Sequence, residues 1–293
     1  MVKAYQEGRV SFKDVVFFQL EEYCDLSKND PNSFAYQLYE LFFKFVDAVP
    51  ENVFFLDGTT KNPKGECELF EESIVQNGGI NFACVEVDSE ASIGGNAPGS
   101  SLDSSTRLKT LTSLNINDRY YTRNGEQDTE CLDICDPLFG HNRVLTMGLG
   151  TISKAEEVFA LFLGSHSARA LRYVVEQTIS NMFPASILQL HPCACVLCDR
   201  YSMCTLRYTD VAYFAGIREN YQLVFGNDVT DFRSFVLPPN VQPELFIKGT
   251  EEKQPFLEKD LSFNNLRCRS PNPPSEEIDE LNVCCITIPF KNE

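Results

Sequence analysis

The sequence predicts an α/β domain built on a mostly parallel sheet, with helices on both faces. Two observations carry that prediction. Short apolar runs of strand length recur from Val15 to about Gly216, and amphipathic segments with helical spacing lie between them. The chain is also long enough: 293 residues, 43% hydrophobic and 12% aromatic, provide a core without disulfide or metal staples. Twenty-three Phe against no Trp point to a core built on phenylalanine.

The elements follow in order. Val15–Phe18, Val53–Leu56, Phe82–Val85, Val158–Phe162 and Cys195–Cys198 read as strands. Between the first two, Phe34, Leu38, Leu41 and Phe45 recur at helical spacing behind a Ser33 N-cap. A second helix from about Ala168 to Thr178 places Leu171, Val174 and Val175 on one face, and Ser202–Phe214 reads as a third. Residues 125–142 are polar, acidic and rich in turn formers, the signature of an inserted surface loop. After Leu223 periodicity fades into acidic sequence containing Pro271, Pro273 and Pro274. The chain thus divides into an α/β domain, 1–223, and a largely disordered tail, 224–293, whose Val283–Pro289 run reads as a strand or docking peptide.

Composition excludes some partners. A net charge of −17 repels a phosphate backbone, which disfavours nucleic acid, and no apolar run is long enough to span a bilayer. Met1–Arg9 has no apolar h-region, so the expected location is cytoplasmic and the 12 cysteines are expected as reduced thiols. Cys193, Cys195, Cys198 and Cys204 cluster beside His191. Their spacing inside an apolar run fits small hydrophobic residues of a buried strand better than metal ligands, and no metal or cofactor is expected.

Several short stretches carry a resemblance. In order they are Ser11-Phe12-Lys13, Glu21-Glu22-Tyr23, Pro50-Glu51-Asn52, Leu56-Asp57-Gly58, Gly78-Gly79-Ile80, Pro98-Gly99-Ser100-Ser101-Leu102, Thr106–Leu111, Gly148-Leu149-Gly150-Thr151, Ala155–Val158, Leu188–Pro192 and Cys198-Asp199. Colinear over about residues 8 to 216, they make the chain resemble the glucosamine-6-phosphate deaminase (isomerase) family. The resemblance implies a modified doubly wound, Rossmann-like fold, here expected to lack the first strand and its phosphate loop. It also implies a sugar-phosphate ligand and oligomeric assembly, with its own copies or with active relatives.

Family members convert glucosamine 6-phosphate and water to fructose 6-phosphate and ammonia. That chemistry uses a carboxylate to move a proton, a histidine to open the ring and a second carboxylate to orient the histidine. Matched residue by residue, Glu21 takes the proton-transfer aspartate's place, one methylene longer. Glu90 stands where the catalytic loop has aspartate, Ser92 where it has histidine and Ala97 where it has the histidine's glutamate partner. Ser167 replaces a phosphate-binding lysine, whereas Arg119 matches a phosphate-binding arginine. His166, one position before Ser167, reads as a lone surface or core histidine rather than a replacement base. Serine carries no proton unaided near neutral pH, so deamination is not expected.

Controlled members of the family bind N-acetylglucosamine 6-phosphate at a second, allosteric site, and there the matching residues are kept: Ser100, Ser101, Arg107, Lys109 and Tyr213. Two hydroxyls and two cations suit a phosphate, and a tyrosine suits a sugar face. The expectation is therefore a catalytically inactive relative that binds a sugar phosphate. The alternative is an active deaminase or isomerase working through Glu21 or Glu90.

Overall fold

The computed structural model describes residues 1–112, 141–199, 201–207, 209, 210, 213 and 216, and the backbone of 284–287. Its elements, in chain order, are α1 (Val2–Gln6), β1 (Phe17–Phe18), β2 (Glu21–Tyr23), α2 (Phe34–Leu41), β3 (Val53–Phe54), α3 (Pro63–Gln76), β4 (Phe82–Glu86) and β5 (Arg107–Thr110). There follow β6 (Arg143–Thr146), α4 (Leu149–Ile152), β7 (Glu157–Phe162), α5 (Ala168–Glu176), β8 (Ala194–Cys198) and β9 (Cys284–Thr287).

β4, β7 and β8 run parallel in that order, as the strand–helix alternation predicts, and β9 closes the far edge antiparallel to β8. β1 and β3 form a separate parallel pair. The architecture is α/β and doubly wound, but an antiparallel sheet of order β2-β6-β5 adds to it, which the sequence reading did not contain.

The physical reasons are local. Ser33 caps α2 by accepting the Tyr36 backbone N–H, as its position predicts. The helix α3 begins at Asn62, which accepts from Gly65, followed by Pro63 at the first turn, and buries Cys67, Phe70 and Ile74. Its exposed acidic face hides that spacing among charged residues. Burial, helped by Glu66, pushes the Cys67 thiol up to about 11.

The core is aliphatic rather than phenylalanine-built. Val158, Ala160, Leu171, Val174 and Val196 pack with Phe70 and Phe162, buried between the sheet and its helices. Five other phenylalanines gather to one side. Phe12, Phe17, Phe42, Phe43 and Phe55 meet edge-to-face at 5.1 to 5.9 Å between ring centres, and all remain half-buried. Cys195 and Cys198 are buried in β8 as small apolar residues.

The third helix differs from expectation. Ser202–Thr205 is a 3-10 turn ended by the extended backbone of Leu206, and helical residues resume at Thr209. Buried Glu176 of α5 holds this segment, pairing with Arg172 at 3.1 Å and Arg207 at 3.3 Å. Of the insert 125–142, only 141 and 142 are described, and Arg119 lies outside the described residues. Of the tail, β9 alone is described, and it is a strand over Cys284–Thr287. Among the described residues no helix is long and apolar enough to cross a membrane, and no three metal-ligating side chains assemble.

Candidate functional site: a loop seated on a small antiparallel sheet

The site is built on the β2-β6-β5 sheet. Register places Glu21, Thr146 and Arg107 in one row, and Tyr23, Val144 and Lys109 in the next row of the same face. Two strand spacings separate Glu21 from Arg107, about 10 Å between Cα atoms. The opposite face carries Glu22, which is 1% exposed and anchors the sheet to α2. Its carboxylate accepts from Gln19 Nε2, the Ser33 hydroxyl and the backbone N–H groups of Tyr23, Phe34 and Ala35, at 2.8 to 3.0 Å. An anion at the start of a helix is favoured there by the free N–H groups as well as by these bonds.

The loop that follows β4 crosses this face. Asp88 shapes it by accepting from the N–H groups of Glu90 (3.0 Å) and Ser92 (2.7 Å). Ala91 takes a left-handed φ of 60°, and its carbonyl accepts from Ala185 at 2.8 Å. Gly94 and Gly95 then lie flat against the middle strand. A Cβ on Gly95 would stand 2.6 Å from Val144 Cγ2, so no larger residue fits. The Gly95 N–H donates to Thr146 Oγ1 at 3.0 Å, and Asn96 Nδ2 donates to the carbonyls of Ile93 and Met147, both at 2.8 Å. Ser100 closes the turn by donating its hydroxyl proton to the Ala97 carbonyl at 2.6 Å.

Inside this well-built loop the reactive positions are bare. Ser92 is 2% exposed and its hydroxyl meets no partner among the described residues, and neither does Asn96 Oδ1. Ala97 is buried and Glu90 lies exposed on the turn. Ser167 is buried, its hydroxyl donating to the carbonyls of Leu163 and Gly164, both at 3.0 Å, while His166 faces solvent. Glu21 is half-buried beside Thr146.

The cation positions are different. Glu71 of α3 fixes the start of β5, accepting from the Thr106 N–H and the Thr151 hydroxyl, both at 2.7 Å. Arg107 and Lys109 then project from one face, both half-buried, and neither meets a carboxylate among the described residues. Burial pushes the Arg107 guanidinium below its usual range. Burial, and then the charge of Arg107, do the same to the Lys109 ammonium. Two cations at i and i+2 on one strand face, with no carboxylate beside them among the described residues, are the kind of pair that suits an anion. Of their proposed companions, Ser100 is buried in its own turn, Ser101 is exposed, and Tyr213 is helical and 65% exposed. The sequence reading missed Glu22, Asp88, Gly95 and Thr146; only the Asp88 turn carries a local signal, an aspartate two and four residues before the amides it accepts.

No protein-family model matches the chain. Among known proteins, it is 34% identical to a glucosamine-6-phosphate deaminase of Aedes aegypti over 235 residues, covering 80% of each chain. It is 36% identical to one from Vibrio parahaemolyticus over 217 residues, 73% of this chain and 77% of that one. A solved monomeric glucosamine-6-phosphate deaminase superposes with a TM-score of 0.62 at 30% identity, covering 70% of this chain and 80% of the other. A 6-phosphogluconolactonase from Trypanosoma cruzi, with a TM-score of 0.51 and 11% identity, shares the fold. On the identity and coverage of these relatives, the chain belongs to the glucosamine-6-phosphate deaminase family.

Proposed function

We propose that this chain is a non-catalytic member of its family that binds a sugar phosphate, such as N-acetylglucosamine 6-phosphate, through Arg107 and Lys109. The observation that carries the reading is their pairing on one face of β5, half-buried and without a carboxylate among the described residues. A phosphate dianion would neutralise both charges, at a place where burial, and then the charge of Arg107, now disfavour the Lys109 ammonium. Ser101 and Tyr213, both exposed, complete the set that the family resemblance assigns to the sugar.

The catalytic half of the reading rests on chemistry. At the ring-opening position Ser92 is buried with an unpartnered hydroxyl, and Ala97 offers nothing to orient a base. Assembly with catalytically intact relatives belongs to the same reading, since a binding subunit without turnover acts through its neighbours.

The test is a thermal-shift titration with N-acetylglucosamine 6-phosphate and glucosamine 6-phosphate, with ammonia release assayed in the same samples. A hundredfold excess over the dissociation constant adds about 2.7 kcal/mol of apparent stability. Stabilisation that vanishes in Arg107→Gln and Lys109→Gln, with no ammonia formed, is the expected result. Ammonia release that depends on Glu21 would instead establish the active-enzyme alternative.

A further inference from the structure

The far edge of the main sheet brings two cysteines into one row. β9 lies antiparallel along β8, with Thr287 opposite Cys195, Ile286 opposite Val196, Cys285 opposite Leu197 and Cys284 opposite Cys198. Residues directly opposite on antiparallel strands have Cα atoms about 4.5 to 5.5 Å apart, inside the roughly 4.4 to 6.8 Å that a disulfide spans. Cys285 falls in the next row, opposite a leucine, and successive strand positions take opposite faces. Cys198 is fully buried at the end of β8 and is not part of a disulfide. It adjoins Asp199, whose carboxylate accepts the N–H groups of Gly164 at 2.9 Å and Ser202 at 2.7 Å, tying the carboxyl end of β8 to the turn before α5. β9, by contrast, has four residues, pairs with β8 alone among the described strands, and reaches it only after positions 217–283. A short edge strand at the end of so long a connection gains little against the entropy of closing that loop. A covalent bond at its first residue, Cys284, would remove that cost.

We propose that Cys198 and Cys284 are a thiol–disulfide pair, a modification site at which a low-molecular-weight disulfide such as glutathione disulfide fastens the tail strand to the sheet. The pair is independent of sugar-phosphate binding. One cysteine, as its thiolate, attacks a sulfur of glutathione disulfide; that S–S bond breaks, one glutathione leaves as a thiol, and a mixed disulfide remains. The thiolate of the other cysteine then attacks the protein sulfur of the mixed disulfide and expels the second glutathione. The two protein thiols lose two electrons and two protons, and the two departing glutathione molecules carry both away. Because Cys198 is buried, exchange waits for β9 to lift from the edge and is completed when the strand reseats. An added dithiol reverses the reaction by the same two steps.

The experiment incubates the full chain, dilute, with glutathione disulfide, alkylates the remaining thiols and maps the peptides by mass spectrometry without reduction. The expected product has the mass of a single chain and one peptide pair joined through Cys198 and Cys284, which separates on treatment with dithiothreitol. Cys284→Ser and Cys198→Ala should each abolish the link, and Cys285→Ser should leave it intact. In the linked protein, amide hydrogen exchange across Cys284–Thr287 should slow roughly tenfold and recover on reduction. Joining of Cys198 to Cys285 or to any other cysteine, or a link between two chains, overturns the pair. So does a protein in which exposed Cys84 and Cys204 take up glutathione while Cys198 and Cys284 stay thiols, since the reagent is then active and the pair inert. A link that forms without slowing exchange overturns the fastening. Should Cys198→Ala fail to fold, Cys284→Ser, altered only in the tail, decides alone.

Discussion

The loop after β4 rests on the small sheet to which β5 belongs, yet the two offer opposite things. The loop keeps its backbone: an aspartate-held turn, two glycines pressed on β6 and an asparagine tied to two carbonyls. Its side chains at positions 92 and 97 are a buried serine and an alanine. On β5 stand two half-buried cations with no carboxylate beside them among the described residues. Shape and chemistry are separable here because they rest on different atoms. Backbone geometry depends on Gly95, Asp88 and Thr146, whatever side chains the loop presents to a ligand.

Four substitutions probe that contrast. The largest effect is expected from Glu22→Ala, which strands five donors at the junction of β2 and α2. Urea unfolding should show a loss of about 3 kcal/mol, the cost typical of removing a buried, charge-assisted hydrogen-bond acceptor. A loss confined to a few tenths would mean that the sheet does not depend on that anchor. Gly95→Ala should cost about 2 kcal/mol, because its Cβ overpacks against Val144, and should leave sugar-phosphate binding at β5 in place. Failure of binding in that variant would show that loop and strand are one site rather than two.

Ser92→Ala has the opposite sign. Removing an orphaned hydroxyl from a buried position should raise stability by about 1 kcal/mol, readable as a higher denaturant midpoint with an unchanged slope. A destabilised variant would point to a bound water or ligand group on that hydroxyl.

The smallest effect concerns pH. Lys109 holds its proton less tightly in the folded chain than in the unfolded one, so between its depressed folded pKa and the unfolded value near 10.4 the unfolded state binds more protons and stability rises with pH. Below that window the charged form is a standing penalty, which Lys109→Gln should remove, raising the melting temperature slightly at neutral pH. Sugar-phosphate affinity should move the other way, falling as pH climbs through the folded pKa of Lys109. Affinity that stays flat as pH climbs through the unfolded value would remove Lys109 from the site.

What was legible in the sequence divides along similar lines. Ser33, β7, β8 and α5 were readable because their signals are local, a cap before a period or an apolar run of strand length. The helix α3 carried its signal too, in Asn62-Pro63 and the spacing of Cys67, Phe70 and Ile74, but the acids between them masked it. The β2-β6-β5 sheet was not readable, because Glu21–Tyr23 pairs with residues more than a hundred positions away and each strand is only three or four residues long. The roles of Thr146 and Gly95 follow from that pairing, so they were hidden with it. The phenylalanine count misled for a related reason: composition records how many rings there are, not that five of them form a half-buried group beside β1.

The raised thiol of Cys67 supplies a clock. At neutral pH almost none of it is thiolate, and the side chain is buried under α3 against the core, so a thiol-specific reagent reaches it only when that helix lifts away. Among the described cysteines, exposed Cys84 and Cys204 would be modified earlier. The rate at Cys67, followed apart from the other buried cysteines Cys24, Cys195 and Cys198, would time the opening of α3, the helix whose Glu71 fixes the start of the cation-bearing strand. A ligand that steadies β5 should therefore lengthen the interval before Cys67 reacts, and the protein would report on its own ligand without any label beyond the sulfur it already carries.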